Sequence, residues 1–275
     1  MMLGDYSDWG GWEYRDPWVA GLWHNPKRFG VPAWDGVSGG ELYVFGEQGL
    51  GDEIFFASCL PEVMGRCRVR LETDARLIPV FERLGVECVA GEFVVRDGKR
   101  GRVQREPVGD WWIPFGDLPR ILRHRTPFPD APYLTGDPRE KERFSGYRGR
   151  VGVSWRGAQG EYGWREFSAG IKDPLCLQYD PDWDCDLERP ALDLKNDIEG
   201  LIGLLCNLER VVTVSTTVAH LSCALGIPTE VILAANGRNS NRLPWKWGRG
   251  GKTPWYRTAT VYPSLSNRLS ACSTR

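Results

Sequence analysis

The 275-residue chain has no excess of charge: 35 Lys and Arg stand against 36 Asp and Glu, a formal net charge of −1. No global field therefore draws in nucleic acid or a membrane surface. Histidine is scarce, at three, and none of the eight cysteines stands in a C-x-x-C pair, so a zinc site is not expected. Several cysteines lie in apolar runs, where a reduced thiol acts as a small hydrophobe. No apolar run approaches the ~18 residues of a membrane span. The first residues, MMLGDYSDWGGWEYRD, are acidic and aromatic, unlike a signal peptide. A cytoplasmic protein is the expectation. Tryptophan is abundant instead, at 13, and tryptophans either fill a core or stack on sugars and bases.

The length allows one large or two small domains. Residues 1–38 are rich in Trp, Gly and Pro without a clear period and read as an arm packed on the first domain. From Glu41 strand and helix patterns alternate: ELYVF, then Asp52–Met64, then CRVRLE at 67–72, then a helix from about Ala75 to Leu84, then a short strand at Glu87–Ala90. Thr73 or Asp74 can cap the second helix. Phe93–Gln104 reads as a hairpin around Asp97-Gly98. Six prolines between Pro114 and Pro138 mark a linker. The alternation then restarts, with strands at Arg150–Trp155, Leu175–Tyr179, Val211–Val214 and Glu230–Leu233 and helices at Asp197–Leu208 and Val218–Leu225. Such alternation implies parallel strands with crossover helices. The expected architecture is α/β: two Rossmann-like domains, residues 39–140 and 141–275, with ligands at the carboxyl ends of the strands.

Four stretches carry candidate chemistry. Gly46–Asp52 joins a strand to a helix through Gln48, Gly49 and Gly51. Glycines there let the backbone approach a ligand. Asp52, an acid at a helix start, repels phosphate but can take a proton from a hydroxyl. The plain alternative is a tight turn in which Asp52 caps the helix. Ser215, Thr216 and Thr217 lie between a strand and a helix, where hydroxyls and free amides suit a diphosphate or simply cap the helix. His220 follows one turn later, as a structural residue or a phosphate donor. Trp155, Arg156 and Arg165 follow a strand end, where arginines clamp phosphate or decorate a solvated loop. Finally, Arg242, Trp245, Lys246, Trp247 and Arg249 lie in a run of interleaved basic and aromatic residues, either a stacking platform for nucleic acid or a Trp-anchored loop. The alternating acids Asp182, Asp184 and Asp186 do not complete a calcium loop, because Leu187 and Asp193 occupy the positions that need Gly and Glu. No metal is expected.

Taken together these pieces resemble one family, the glycosyltransferase domain that often follows tetratricopeptide repeats and is related to the heptosyltransferases of glycosyltransferase family nine. The resemblance runs through Trp12-Glu13-Tyr14, Pro32–Gly36, Gly46–Asp52 with Phe55-Phe56-Ala57, Leu118-Pro119, Ala131–Leu134, Val151–Val153, Trp155, Gly157, Leu177-Gln178, Val218–Leu221, Ala224–Gly226 and Thr253–Tyr256. It implies a free-standing GT-B enzyme without the repeats, with acceptor on the first half and nucleotide sugar on the second. The family's Gly-Asp supplies the base, which falls on Asp52. Its donor loop reads Asp-Thr followed by His. Ser215 stands here for the Asp, whereas Thr216 and His220 match, so a heptose donor does not follow from it. The family's basic residue on the phosphates falls near Arg165.

The resemblance thus implies a metal-independent, inverting transfer from a nucleoside-diphosphate sugar, with no cofactor beyond that co-substrate. The expected acceptor is a hydroxymethylpyrimidine in DNA, as phages modify their genomes, which would place the enzyme in a host cytoplasm. It is motivated by the aromatic-basic run and by Arg96, Lys99, Arg100, Arg102 and Arg105 in the hairpin. A surface glycan, lipopolysaccharide or a protein side chain are the alternatives. So is a non-catalytic module that binds sugar nucleotide or DNA.

Overall fold

The computed structural model describes residues 29–96, 99–103, 105–122, 131–157, 160–180, 185–233, 245–248 and 251–273. Contacts divide the chain into two units, Asp5–Pro127 and Phe128–Arg275.

In the first unit, β1 (Gly40–Phe45) is buried from Leu42 to Phe45, as a central parallel strand covered on both faces must be. The chain continues through α1 (Leu50–Phe56), a 3-10 turn at Ala57–Cys59 and α2 (Leu60–Met64). It then forms β2 (Cys67–Thr73), α3 (Ile78–Glu82) and β3 (Glu87–Ala90). Asp74 caps the 3-10 turn that precedes α3, its carboxylate accepting from the Arg76 amide. The hairpin forms from β4 (Phe93–Arg96) and β5 (Lys99–Arg102), paired antiparallel. Its turn at 97–98 lies outside the described residues. Next come β6 (Trp111–Pro114) and α4 (Asp117–Leu122). The sheet order is β3-β2-β1-β6, all parallel.

β6 ends on Pro114, the first proline of the stretch read as linker, and α4 lies inside that stretch. The register of β6 against β1 runs from Leu42↔Trp111 to Phe45↔Pro114. Proline is tolerated there because β6 is an edge strand and Pro114 ends it. Trp112 is wholly buried against Phe45 and Phe29. Residues 29–38 run beside β6, with the Trp34 amide donating to the Trp112 carbonyl at 2.9 Å. Tyr43 donates to the buried Glu72. Burial first, and the Glu72 charge next, push the Tyr43 phenol far above its usual range.

The second unit contains α5 (Pro138–Arg143), β7 (Val151–Ser154), β8 (Arg156–Gly157), β9 (Gly160–Glu161) and α6 (Trp164–Phe167). It continues with β10 (Pro174–Cys176), α7 (Ile198–Leu205), β11 (Arg210–Val214), α8 (Thr217–Ala224) and β12 (Thr229–Ile232). It ends with β13 (Gly251–Thr253), β14 (Tyr256–Tyr262) and α9 (Leu265–Ser273). The sheet order is β10-β7-β11-β12-β14-β13, parallel except for the β13–β14 pair. The Tyr133 and Leu134 amides donate to the Ala224 carbonyl at 3.0 and 3.1 Å, so the segment from Ala131, grouped above with residues 39–140, packs in the second unit.

Burial pushes the thiols of Cys88, Cys176 and Cys223 up to about 12. Thiolate is the reactive form. At pH 8 these three are expected to alkylate far more slowly than the exposed Cys272. Mass spectrometry after timed iodoacetamide treatment checks this, and fast labelling of Cys223 in the folded protein would contradict it.

Candidate functional site

Each unit places candidate loops where its strand order reverses, one in the first and two in the second. In the first sheet the chain moves outward from β1 to β2 and β3, then returns to the other side of β1 as β6. In the second it moves from β7 to β10, then returns to the other side of β7 as β11. The crevice at such a reversal is where open α/β sheets bind ligands. Gly46–Asp52 follows β1. Arg156-Gly157 follows β7, and Ser215–Thr217 follows β11.

In the first unit, Gly49 is the N-cap of α1 and Asp52 its third residue. The Asp52 carboxylate accepts from the Gly49 amide at 3.1 Å, the carboxyl half of a capping box. Asp52 is half-buried. Gly51 lies inside the first turn of α1, whereas Gln48, exposed, takes a left-handed φ of 61°. Two buried carboxylates overlooked in the sequence hold this loop. Glu47 accepts from the Gly116 amide after β6 at 2.6 Å and from the Gln48 side chain at 3.2 Å. Glu53 accepts from the Thr73 hydroxyl at 2.6 Å and the Asp74 amide at 3.0 Å, at the end of β2. Glu47 lies within the glycine loop and Glu53 directly after it, and an acid in or next to a βα turn was the available signal. A left-handed non-glycine residue stores about 1–3 kcal/mol of strain. Gln48→Val is therefore expected to destabilise by about 1–2 kcal/mol, because a β-branched residue tolerates that φ poorly, with Gln48→Gly close to neutral. Urea unfolding measures both.

In the second unit, the Gly157 Cα approaches Thr216 so closely that a Cβ there would stand 2.8 Å from the Thr216 methyl. Glycine is thus needed where the two loops meet. The Thr216 hydroxyl lies 3.2 Å from that of Thr213, and Thr216 is the N-cap of α8 without a side-chain capping bond. Ser215, Thr216 and Thr217 are all half-buried. His220 is buried, with Nδ1 2.9 Å from the Tyr256 hydroxyl. The strand-end loop is fixed by Gln178, wholly buried, whose amide oxygen accepts from the Arg156 amide at 2.8 Å and the Ser154 hydroxyl at 3.1 Å.

Several expected roles change. Trp155 is buried in the core with Val153, Phe167 and Val214, so it packs the sheet. The Arg156 side chain pairs with Glu161 at 2.6 Å beside the turn. Arg165 is exposed, stacks on Trp164 and pairs with Asp186 at 2.9 Å. Trp247, Lys246, Trp255 and Tyr256 are buried, so these side chains offer no exposed stacking platform. Lys246 and Trp247 lie in a 3-10 turn, Trp255 in the turn between β13 and β14, and Tyr256 opens β14. Arg242, Arg249 and the Trp245 side chain lie outside the described residues. So does the acidic run at 182–184. Among the described residues no group of three or more His, Cys, Asp or Glu could hold a metal ion. No helix among them is long and apolar enough to cross a membrane.

No protein-family model matches the chain. Protein FlbA of Caulobacter vibrioides is 26% identical over 295 residues, which cover 90% of this chain and 48% of FlbA. The chain spans about half the length of that relative. Among solved structures, the glycosyl transferase family 9 protein of Veillonella parvula superposes with a TM-score of 0.55 at 11% identity, over 89% of this chain and 94% of that one. The iron-containing dodecameric glycosyltransferase TibC of enterotoxigenic E. coli gives a TM-score of 0.50 at 14% identity, over 79% of this chain and 65% of TibC. At such identities the likeness is one of fold. The fold is the GT-B fold of those two glycosyltransferases, built from two Rossmann-like units.

Proposed function

We propose that the chain is an inverting glycosyltransferase that moves a sugar from a nucleoside-diphosphate sugar to an acceptor hydroxyl. The observation that carries this reading is the placement of both loops at strand-order reversals of a GT-B fold, with Gly157 pressed against Thr216. The first unit supplies the base and the second the diphosphate site. Asp52 takes the proton of the acceptor hydroxyl as its oxygen attacks the anomeric carbon. The bond to the diphosphate breaks on the opposite face, so one displacement inverts the configuration. The amides and hydroxyls at the head of α8 receive the charge that grows on the leaving diphosphate, with Arg156 nearest in sequence to Gly157.

For the acceptor, a neutral hydroxyl of a glycan is supported better than a hydroxymethylpyrimidine in DNA. Asp52, half-buried at the carboxyl end of the first sheet, is an acid that opposes a polyanion. The inward-facing Trp247 and Trp255 weaken the stacking argument for DNA. A donor screen across nucleotide sugars, with simple glycans and hydroxymethyl-containing duplex DNA as acceptors, tests this by product mass. Transfer to glycans and no salt-dependent binding of duplex DNA are expected. A DNA enzyme with several phosphate contacts would instead lose affinity steeply as salt rises. Absence of transfer from every donor would sink the enzymatic reading.

A further inference from the structure

The 3-10 turn at Trp245–Trp247 is held by Thr253, whose hydroxyl donates to the Lys246 carbonyl at 2.7 Å. This fixes Trp247, wholly buried, against the turn after β11. Its indole N–H donates to Ser215 Oγ at 2.8 Å. Its ring stacks on His220 at 4.8 Å between centroids and 24° between planes. Tyr256 completes the group, 2.9 Å from His220 Nδ1 and 5.5 Å from the Trp247 ring centre.

The direction of the Trp247 bond decides what Ser215 can do. An indole N–H only donates, whereas a serine hydroxyl has one donor hydrogen and two acceptor lone pairs. Accepting from Trp247 uses a lone pair and leaves the Ser215 hydrogen to be donated elsewhere. It also polarises that O–H, because hydrogen bonds in a chain strengthen one another. The amides at the head of α8 favour an anion at the same place. An aspartate at this position would accept the same indole N–H, yet it would set a negative charge where the helix start attracts one.

We infer that Trp247 is a positioning residue that makes Ser215 an oriented O–H donor to the diphosphate of the donor. The inference rests on the reading of Ser215–Thr217 as the diphosphate site. Trp247→Phe keeps a ring over His220 and removes the N–H together with part of the indole's volume, so a lower unfolding midpoint is expected and is read separately from affinity. Wild type, Trp247→Phe, Ser215→Ala, the double variant and Ser215→Asp are each titrated calorimetrically with ADP, UDP, GDP and CDP, one at a time, and their unfolding midpoints recorded. Wild type should bind at least one of these diphosphates. Each of the first two single variants should weaken it roughly three- to tenfold. The double variant should be no weaker than Ser215→Ala alone, because both changes break the same link. Ser215→Asp should weaken it more than either. Unchanged affinity in Trp247→Phe overturns the inference, even if the unfolding midpoint falls, because that is the mark of a packing role alone. Independent, multiplying losses in the double variant also overturn it. If wild type binds none of the four, the diphosphate reading fails and takes this inference with it. Binding by wild type with an indifferent Trp247→Phe removes the inference alone.

Discussion

Asp52→Asn is expected to lower the rate of sugar transfer by about 10²–10⁴-fold, the usual contribution of a positioned general base. The substitution separates the two roles open to this residue. As a cap, Asp52 offers an oxygen to the Gly49 amide at 3.1 Å. The Asn side chain has the same shape and an oxygen for that bond, so α1 should form as before. As a base, Asp52 needs a carboxylate, and an amide does not take up a proton at neutral pH. The rate should therefore fall while the folded protein and its affinity for the donor diphosphate persist. Single-turnover transfer and diphosphate titration on the same preparation distinguish the cases. An equal fall in kcat and kcat/KM marks an interaction made only in the transition state. Near-native transfer by Asp52→Asn would leave Asp52 as a helix cap and nothing more.

The two loops were legible in the sequence because their chemistry is local. A strand of β-type residues, a glycine turn and an acid at a helix start occupy adjacent positions, as do a strand, three hydroxyl residues and a helix. β1, β2 and β3 appear almost at their expected limits. The single helix expected over Asp52–Met64 is instead α1, a 3-10 turn and α2, because Pro61 removes a backbone donor and the chain tightens ahead of it. What the sequence hid is held by distant partners. β6, which ends at Pro114 where the proline-rich stretch begins, went unread because its hydrogen bonds come from β1. Strand formation there is decided by the neighbouring strand more than by local preference. The burial of Trp247 and Trp255 was hidden for the same reason. Composition cannot say whether Trp247 faces solvent or the turn after β11. The residues that hold the loops in place, Glu47 with Gly116, Gln178 with Arg156 and Trp247 with Ser215, all act across long sequence separations.

Glu230→Ala is expected to destabilise the second unit by about 3–5 kcal/mol, the usual result of stripping one partner from a buried ion pair. Arg268 on α9 is 1% exposed, and its Nε donates to the Glu230 carboxylate at 2.6 Å. Arg210, at the start of β11, lies 3.6 Å from the other oxygen of the same carboxylate. Glu230 on β12 thus neutralises two guanidinium groups and ties the last helix to the sheet. Its removal leaves the Arg268 charge enclosed, and Nη1 of Arg268 is already buried without a hydrogen-bond partner. Glu230→Gln, which keeps an acceptor but loses the charge, should cost less. The mechanism makes a sharper demand of the double variant. If the loss comes from an enclosed, unpaired charge, Glu230→Ala with Arg268→Met should regain much of it, because an apolar side chain in that space needs no counter-charge. Chemical unfolding of the four proteins gives the coupling directly. A double variant that adds the two losses would show that Arg268 is held by packing, with the carboxylate incidental. Where the two units unfold in separate transitions, only that of the second should move, since every group in this cluster belongs to it.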